Sequence, residues 1–455
     1  MGDSAIDAAS GQSIGRNARC ACGSGRRYKD CCGGIAAQVA GNRVRSLMRH
    51  ALGMQQARRL DDAERFYREA LALNPNEPDV LHMLGVIRYE RQDPAEALAL
   101  IRHALDLTEW RFPAIRHNFG LVLAALCRDR DDSRRRMARA SYRQWLAELG
   151  TQPARLASVA VVVPNYNHAA FVEHALASLF AQTQLPAELV VIDDGSSDGS
   201  AAIIARVLAD VPFPARIIVR ENRGAPATIN EAVAMTSSEF VNVLNSDDAF
   251  EPDRLARMTA AVAGRTEWGF SSVALMDEHD RPIDVLQHAR GYAIACAQGA
   301  ISLAETPGFA LLTNNVAVTS GNLFFSRRIF DALGGFRDFR YNHDWDFALR
   351  AVALTEPALV PVETYRYRLH ARNTIDESSA AARAEADRIL GEFLERASSA
   401  VPFPSPHAPS GLRWGSHFIV TVLESGMASV LDPNRLRALA DGFAGLAART
   451  DAADS

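Results

Sequence analysis

Along the first 150 residues, apolar positions recur with a helical period. In "AERFYREALALNP", Ala63, Tyr67, Ala70 and Leu71 share one face, and Pro75 closes the segment. "LHMLGVIRYER" places Leu81, Leu84 and Gly85 at the same spacing, and "AEALALIRHAL" sets Ala97 and Ala104 34 residues after Ala63 and Ala70. Two helical repeats are expected, over 44–77 and 78–111, with a degenerate third beginning near "RHNFGLVLAAL". The charged run "CRDRDDSRRRMARASYRQWLAEL" reads as the solvated face of a capping helix. From residue 157 the pattern changes. "SVAVVVPNYN", "AELVVIDDGSSDGS", "ARIIVRENRG" and "EFVNVLNSDDAFEPDRL" read as strands. They alternate with helical stretches such as "HAAFVEHALASLFAQT" and "APATINEAVAMTS". Such alternation predicts an α/β domain with a doubly wound, mostly parallel sheet. After residue 376 the chain is again helix-like, broken by the Pro-rich "VPFPSPHAPSG".

Length refines this picture: 455 residues suggest about three domains. A formal charge of −5 argues against a general nucleic-acid binder. No apolar run reaches the ~18–20 residues that span a bilayer, and the N-terminus lacks the pattern of a secretory signal. A cytoplasmic location is therefore expected. In that reducing setting, the cluster "CACGSGRRYKDCC" points to a metal rather than to disulfides. Four thiolates, Cys20, Cys22, Cys31 and Cys32, suit a closed tetrahedral structural Zn²⁺ site. So short a segment draws its folding energy from the metal; the competing reading is a set of free thiols on a tail. Cys127 and Cys296 are expected to be small core residues.

In doubly wound sheets, ligands bind at the carboxyl ends of the strands. Here those ends carry Asn165-Tyr166-Asn167, Asp193-Asp194, Glu221-Asn222 and Asp247-Asp248. Acids converging on one crevice repel each other unless a hard divalent cation, hydrogen-bond donors or a phosphate-bearing ligand is present. The bland alternative makes them helix N-caps.

Three resemblances follow from these segments. "CACGSGRRYKDCCG" resembles the SEC-C motif, which implies zinc on Cys20, Cys22, Cys31 and Cys32 (module 18–34) and often a protein-binding role. The 34-residue period resembles the tetratricopeptide repeat (44–150). It implies a groove for a protein segment; a spacer or homodimerisation element is the competing reading. The segments "VVVPNYN", "VVIDDGSSDGS", "ENRGAPATIN", "LNSDDAFEP", "SGNLFFSRRIFDALGGF", "HDWDFALRA" and "YRLHARNT" resemble family 2 glycosyltransferases of the GT-A fold (157–375), leaving 376–455 as a C-terminal helical region.

This last resemblance implies Pro164 and Tyr166 in a nucleotide pocket, Asp193 and Asp194 on the base, and Arg223 and Gly224 beside the donor. It implies Asp247 and Asp248 as the metal motif for Mn²⁺ or Mg²⁺, with which of the two takes the metal left open because Asn245 stands where an acid is commoner. It also implies His370 as a late metal or diphosphate contact and Asp344 as the catalytic base, with His343 in place of the usual Glu. The "QxxRW" pattern of processive synthases is absent, so one sugar, or few, is expected per acceptor. The expected activity is metal-dependent, inverting transfer from a nucleotide sugar, most often UDP-linked, to a protein or glycan acceptor. The rival is a non-catalytic nucleotide-sugar-binding adaptor.

Overall fold

The computed structural model of the chain describes residues 4–6, 13–15, 17–20, 22, 24–128, 133–153, 155–371, 373, 379–426, 428 and 432–451. They form two compact units. The first holds a two-stranded antiparallel ribbon, β1 (Ser4–Ile6) and β2 (Ser13–Gly15), the cysteine segment, and five helices. These are α1 (Cys32–Gln56), α2 (Leu60–Leu73), α3 (Pro78–Glu90), α4 (Pro94–Leu107) and α5 (Pro113–Arg128). Helices α2 and α4 begin 34 residues apart and have equal length, 14 residues. Ala63, Ala70, Ala97 and Ala104, the small residues of that period, are all fully buried. At Gly85 a Cβ would meet Ile101 Cγ1 at 2.5 Å, so α3 approaches α4 too closely for a side chain. The helix Pro433–Asp451 contributes Arg437 to this unit: its guanidinium pairs with Asp106 and lies 5.4 Å from the Trp110 ring centroid.

The second unit begins with α6 (Ser133–Thr151). This helix, expected to cap the repeats, packs here instead: Tyr142 and Trp145 stack on each other and against His407. The core is an eight-stranded mixed sheet. Strand β3 (Val159–Asn165) is followed by α7 (Val172–Phe180), β4 (Glu188–Asp193), α8 (Ser200–Val207), β5 (Ala215–Val219), α9 (Ala225–Ala234) and β6 (Phe240–Val243). The order β5-β4-β3-β6 is wholly parallel, as the alternation predicts. Its valines are buried because helices cover both faces.

The second half departs from that pattern. The fourth strand, expected to end in acids, is β6, and a further short strand, β7 (Ala249–Phe250), follows those acids. Next come α10 (Arg254–Val262), β8 (Trp268–Met276), α11 (Ala289–Gly299), α12 (Pro307–Thr313) and β9 (Phe324–Ser326). Then follow α13 (Arg327–Leu333), α14 (His343–Leu354) and β10 (Ala358–Arg368). Strand β9 runs antiparallel between β6 and β8, β10 is parallel to β8, and β7 pairs antiparallel with β10.

The C-terminal helices α15 (Ser379–Ala397), α16 (Gly411–Trp414) and α17 (Ser416–Glu424) complete the unit. The Pro-rich segment is packed rather than free, with Phe403, His407 and Ala408 buried. Cys127 is buried as expected, but Cys296 is exposed. It lies on the outer face of α11, whose other face (Arg290, Ala293, Ile294, Ala297) lines a cleft. Among the described residues, no helix is long and apolar enough to cross a membrane.

Glu356 illustrates a cost held in this core. It is 2% exposed; one carboxylate oxygen accepts from the Gly308 amide at 3.0 Å, and Oε2 has no hydrogen-bond partner among the described residues. Burial pushes its pKa up to about 8, against the Gly308 and Thr306 hydrogen bonds. A carboxyl raised above its unfolded value contributes stability fully below about pH 4.5, which is lost as pH rises through about 8. Glu356→Gln is therefore expected to melt with little change across this window. The wild type should lose up to a few kcal/mol, at about 1.4 kcal/mol per pH unit, in thermal melts followed by circular dichroism. Parallel pH profiles for the two proteins would refute this.

Candidate active site

The carboxyl ends of β3, β4 and β6 open on a cleft of ≈ 1230 Å³. Strand order reverses at β3, with β4 on one side and β6 on the other, which is where such sheets leave a crevice. Pro164 near the end of β3 and Tyr166 just after it line the cleft wall, and Tyr166 is half exposed.

The two acids at the end of β4 part company. Asp193 is fully buried: Asn165 Nδ2 donates to Oδ2 at 2.7 Å and the Ser196 amide to Oδ1 at 2.8 Å. It ties the ends of β3 and β4 together and is not on the cleft wall. Asp194 is on the wall and accepts from the Arg223 and Gly224 amides at 2.9 and 2.8 Å and from Arg220. Gly195 between the pair has φ +81°, and a Cβ there would lie 3.0 Å from the Asn222 amide nitrogen.

The pair after β6 divides the same way. The Asp248 carboxylate is sequestered by Tyr365 Oη (2.7 Å), the Arg368 amide (2.8 Å) and Asn245 Nδ2 (3.2 Å). Tyr365 reaches it only because Gly321 has no side chain; a Cβ there would fall 1.8 Å from Oη. Burial, reinforced by the neighbouring Asp247 charge, pushes the Asp248 carboxyl well above the ordinary carboxylate range. Asp247 lines the cleft. Burial opposes its ionisation too, but His168 and a hydrogen bond with His370 hold it below the ordinary range. His370 Nε2 lies 3.0 Å from Asp247 Oδ2, and His168 Nε2 lies 3.9 Å from the same oxygen. The two imidazoles and the carboxylate form one group able to hold a cation.

Across the cleft, the first turn of α14 presents Asp344. Asn315 Nδ2 donates to Oδ2 at 3.0 Å, and the Trp345 amide to Oδ1 at 2.8 Å. Burial raises its pKa, opposed by His343 and these two donors. Asp346, the other acid of "HDWD", is fully buried between Arg337 and Arg350 and anchors the helix.

Arg290 and Glu385, outside the recognised motifs, and Arg368, within "YRLHARNT", complete the site. Arg290 lines the cleft and donates to Tyr367 Oη at 3.0 Å. Arg368 Nε donates to the Asp247 carbonyl at 2.6 Å, fixing the loop that carries it. Arg368 stands two residues before His370, and both reach Asp247, the first at its carbonyl and the second at its carboxylate. Glu385 on α15 accepts from the Arg340, Tyr341 and Asn342 amides at 2.8, 2.9 and 3.1 Å. It thereby braces the segment that leads into Asp344.

Residues 160–332 match the family model described as Glycosyl transferase family 2, and residues 16–34 match that of the SEC-C motif. The cleft-bearing segment belongs to glycosyl transferase family 2. Similar curated proteins include an uncharacterized glycosyltransferase, alr2836, of Nostoc sp. It is 30% identical over 127 residues, 28% of this chain and 39% of that protein. The succinoglycan biosynthesis protein ExoU of Rhizobium meliloti is 35% identical over 122 residues, 26% of this chain and 34% of that one. The matched stretch thus spans well under two thirds of these relatives. Among solved structures, a Pyrobaculum calidifontis mannosyltransferase in complex with GDP-Man and Mn²⁺ is similar, with 19% identity, 73% and 87% of the two chains covered and a TM-score of 0.42. S. aureus TarS with UDP-GlcNAc gives 16%, 52% and 72%, and 0.39.

Proposed function

We propose that this glycosyltransferase domain moves a sugar from a nucleotide-sugar donor, UDP-linked by expectation, to an acceptor hydroxyl with inversion. The observation that carries the reading is the placement of Asp194, Asp247 and Asp344 on one cleft. Asp194, Pro164 and Tyr166 would hold the nucleoside, with Arg223 and Gly224 beside it. Asp247, His370 and His168 fit a divalent cation, because an ionised carboxylate and two imidazoles converge there. When bound, such a cation neutralises the departing nucleoside diphosphate. Arg290 would add a fixed positive charge near the same oxygens. Asp344, oriented by Asn315, takes the proton of the acceptor hydroxyl as its oxygen bonds to the anomeric carbon. The electron pair of the cleaved bond leaves with the diphosphate. A single displacement from the opposite face inverts the centre and needs no carboxylate nucleophile. The test is release of nucleoside diphosphate from a panel of nucleotide sugars with Mn²⁺. Release from none of them, with and without added acceptors, would sink the reading.

The four clustered cysteine sulfurs lie within 4.8 Å of one another, and Cys22 Sγ is 3.3 Å from Cys31 Sγ. This donor set fits one structural Zn²⁺. Elemental analysis is expected to find one zinc per chain, lost in Cys22→Ser, with donor hydrolysis unchanged. Four freely titratable thiols in the wild type would refute it. The helical repeats are proposed to recruit a protein or glycan acceptor, raising its effective concentration near Asp344.

A further inference from the structure

One residue lining this cleft lies outside the recognised motifs. His168 stands three residues after β3, in "PNYNHAAF", and lines the cleft with its side chain 22% exposed. It comes from the opposite end of the domain sequence from His370, yet the two rings sit 5.9 Å apart at 88°, on either side of Asp247. Its Nε2 faces the Asp247 carboxylate, while its Nδ1 lies 2.8 Å from Ser246 Oγ. With Nδ1 protonated and donating to that hydroxyl, the ring would be fixed and the Nε2 lone pair left for a ligand. This is the arrangement by which ligating histidines are usually oriented. His370 is set as firmly, with its side chain 3% exposed and Phe171 packed on its ring at 4.8 Å.

We propose that His168 is a third protein ligand of the cation, so that an Asp247–His168–His370 set selects a first-row transition-metal ion over Mg²⁺. The inference rests on the reading that this cleft binds a cation with the nucleotide. The chemistry follows from the donors. Mg²⁺ prefers oxygen ligands in a rigid octahedron and keeps its waters, whereas imidazole nitrogen favours softer first-row ions. Three protein ligands also leave coordination positions for diphosphate oxygens. A site of carboxylates alone would discriminate less.

The test uses the full chain holding one equivalent of zinc, at its cysteines, and Mn²⁺, whose free ion is counted by electron paramagnetic resonance, with and without UDP. His168→Gln is expected to weaken Mn²⁺ binding at least about tenfold, and Ser246→Ala by about 10-fold or more through loss of ring orientation. Pulsed resonance should show nitrogen couplings from two imidazoles in the wild type and one in His168→Gln. Mg²⁺ should displace Mn²⁺ more readily from the variant. Unchanged Mn²⁺ affinity and couplings in His168→Gln, with binding lost in Asp247→Asn, would overturn the role of His168 while leaving the cation reading intact. A variant that loses UDP affinity equally with and without Mn²⁺ would make His168 a nucleotide contact and likewise overturn it. Absence of Mn²⁺ binding by the wild type, even with UDP, would remove the cation reading itself. Circular dichroism melts of both variants separate these outcomes from misfolding.

Discussion

Asp344→Asn is expected to lower sugar transfer by about 10²–10⁴-fold, the usual worth of a positioned general base, while nucleotide affinity with Mn²⁺ stays within about twofold. The asymmetry has a structural reason. Asp344 is on the α14 side of the cleft, apart from the Asp194 and Asp247 loops, and its hydrogen bonds run to Asn315 and Trp345. The asparagine retains the shape and loses only the proton acceptor, which matters chiefly in the transition state. Calorimetry of UDP binding beside turnover measurements separates the two effects. The pH profile gives a second check. Burial raises the Asp344 pKa, and the base must be ionised to act. The acid limb of kcat/KM should therefore lie above the ordinary aspartate range, with activity lost as pH falls through it. Turnover surviving in Asp344→Asn, or UDP affinity collapsing with it, would refute the assignment.

The adjacent acids Asp247 and Asp248 should respond in opposite ways to the same substitution. Asp247→Asn removes the ionised group that faces the cleft between two histidines, and the Mn²⁺-dependent gain in UDP affinity is expected to vanish. Loss of one partner from such a buried charge pair costs about 2–5 kcal/mol, or roughly 30-fold to several-thousand-fold. Asp248→Asn replaces a carboxyl that burial already favours in its neutral form and that Tyr365, the Arg368 amide and Asn245 engage. It should keep Mn²⁺-dependent UDP binding within a few fold. Titrations of UDP with and without Mn²⁺ in both variants decide the matter. Equal losses would mean that both acids meet the ion.

Much of this was legible along the chain. Small residues at a 34-residue interval indicated paired helices because helix packing is local, and Ala63, Ala70, Ala97 and Ala104 are indeed buried. Alternating strands and helices indicated the parallel half of the sheet, and acids at strand ends indicated the cleft. The antiparallel strands β7 and β9 were not legible. Each is two or three residues long and owes its direction to partners distant in sequence. Nor did the C-terminal helices announce a role, since Glu385 carries no motif and braces the approach to Asp344 only through its contacts.

The sequence by itself determined which residue types stand at the strand ends and how the cysteines are spaced, because both are properties of neighbouring positions. It could not determine which acid of each pair serves the cleft. A "DD" beside a strand end promises two neighbouring acids without saying which of them meets the cleft. Only the tertiary structure decided that. Asn165 and Ser196 engage Asp193, Tyr365 and Arg368 engage Asp248, and Asp194 and Asp247 are left facing the cleft. The deciding partners lie up to 120 residues away. The cost of burying a carboxylate without hydrogen-bond donors makes their arrival, and not the local pattern, the determinant.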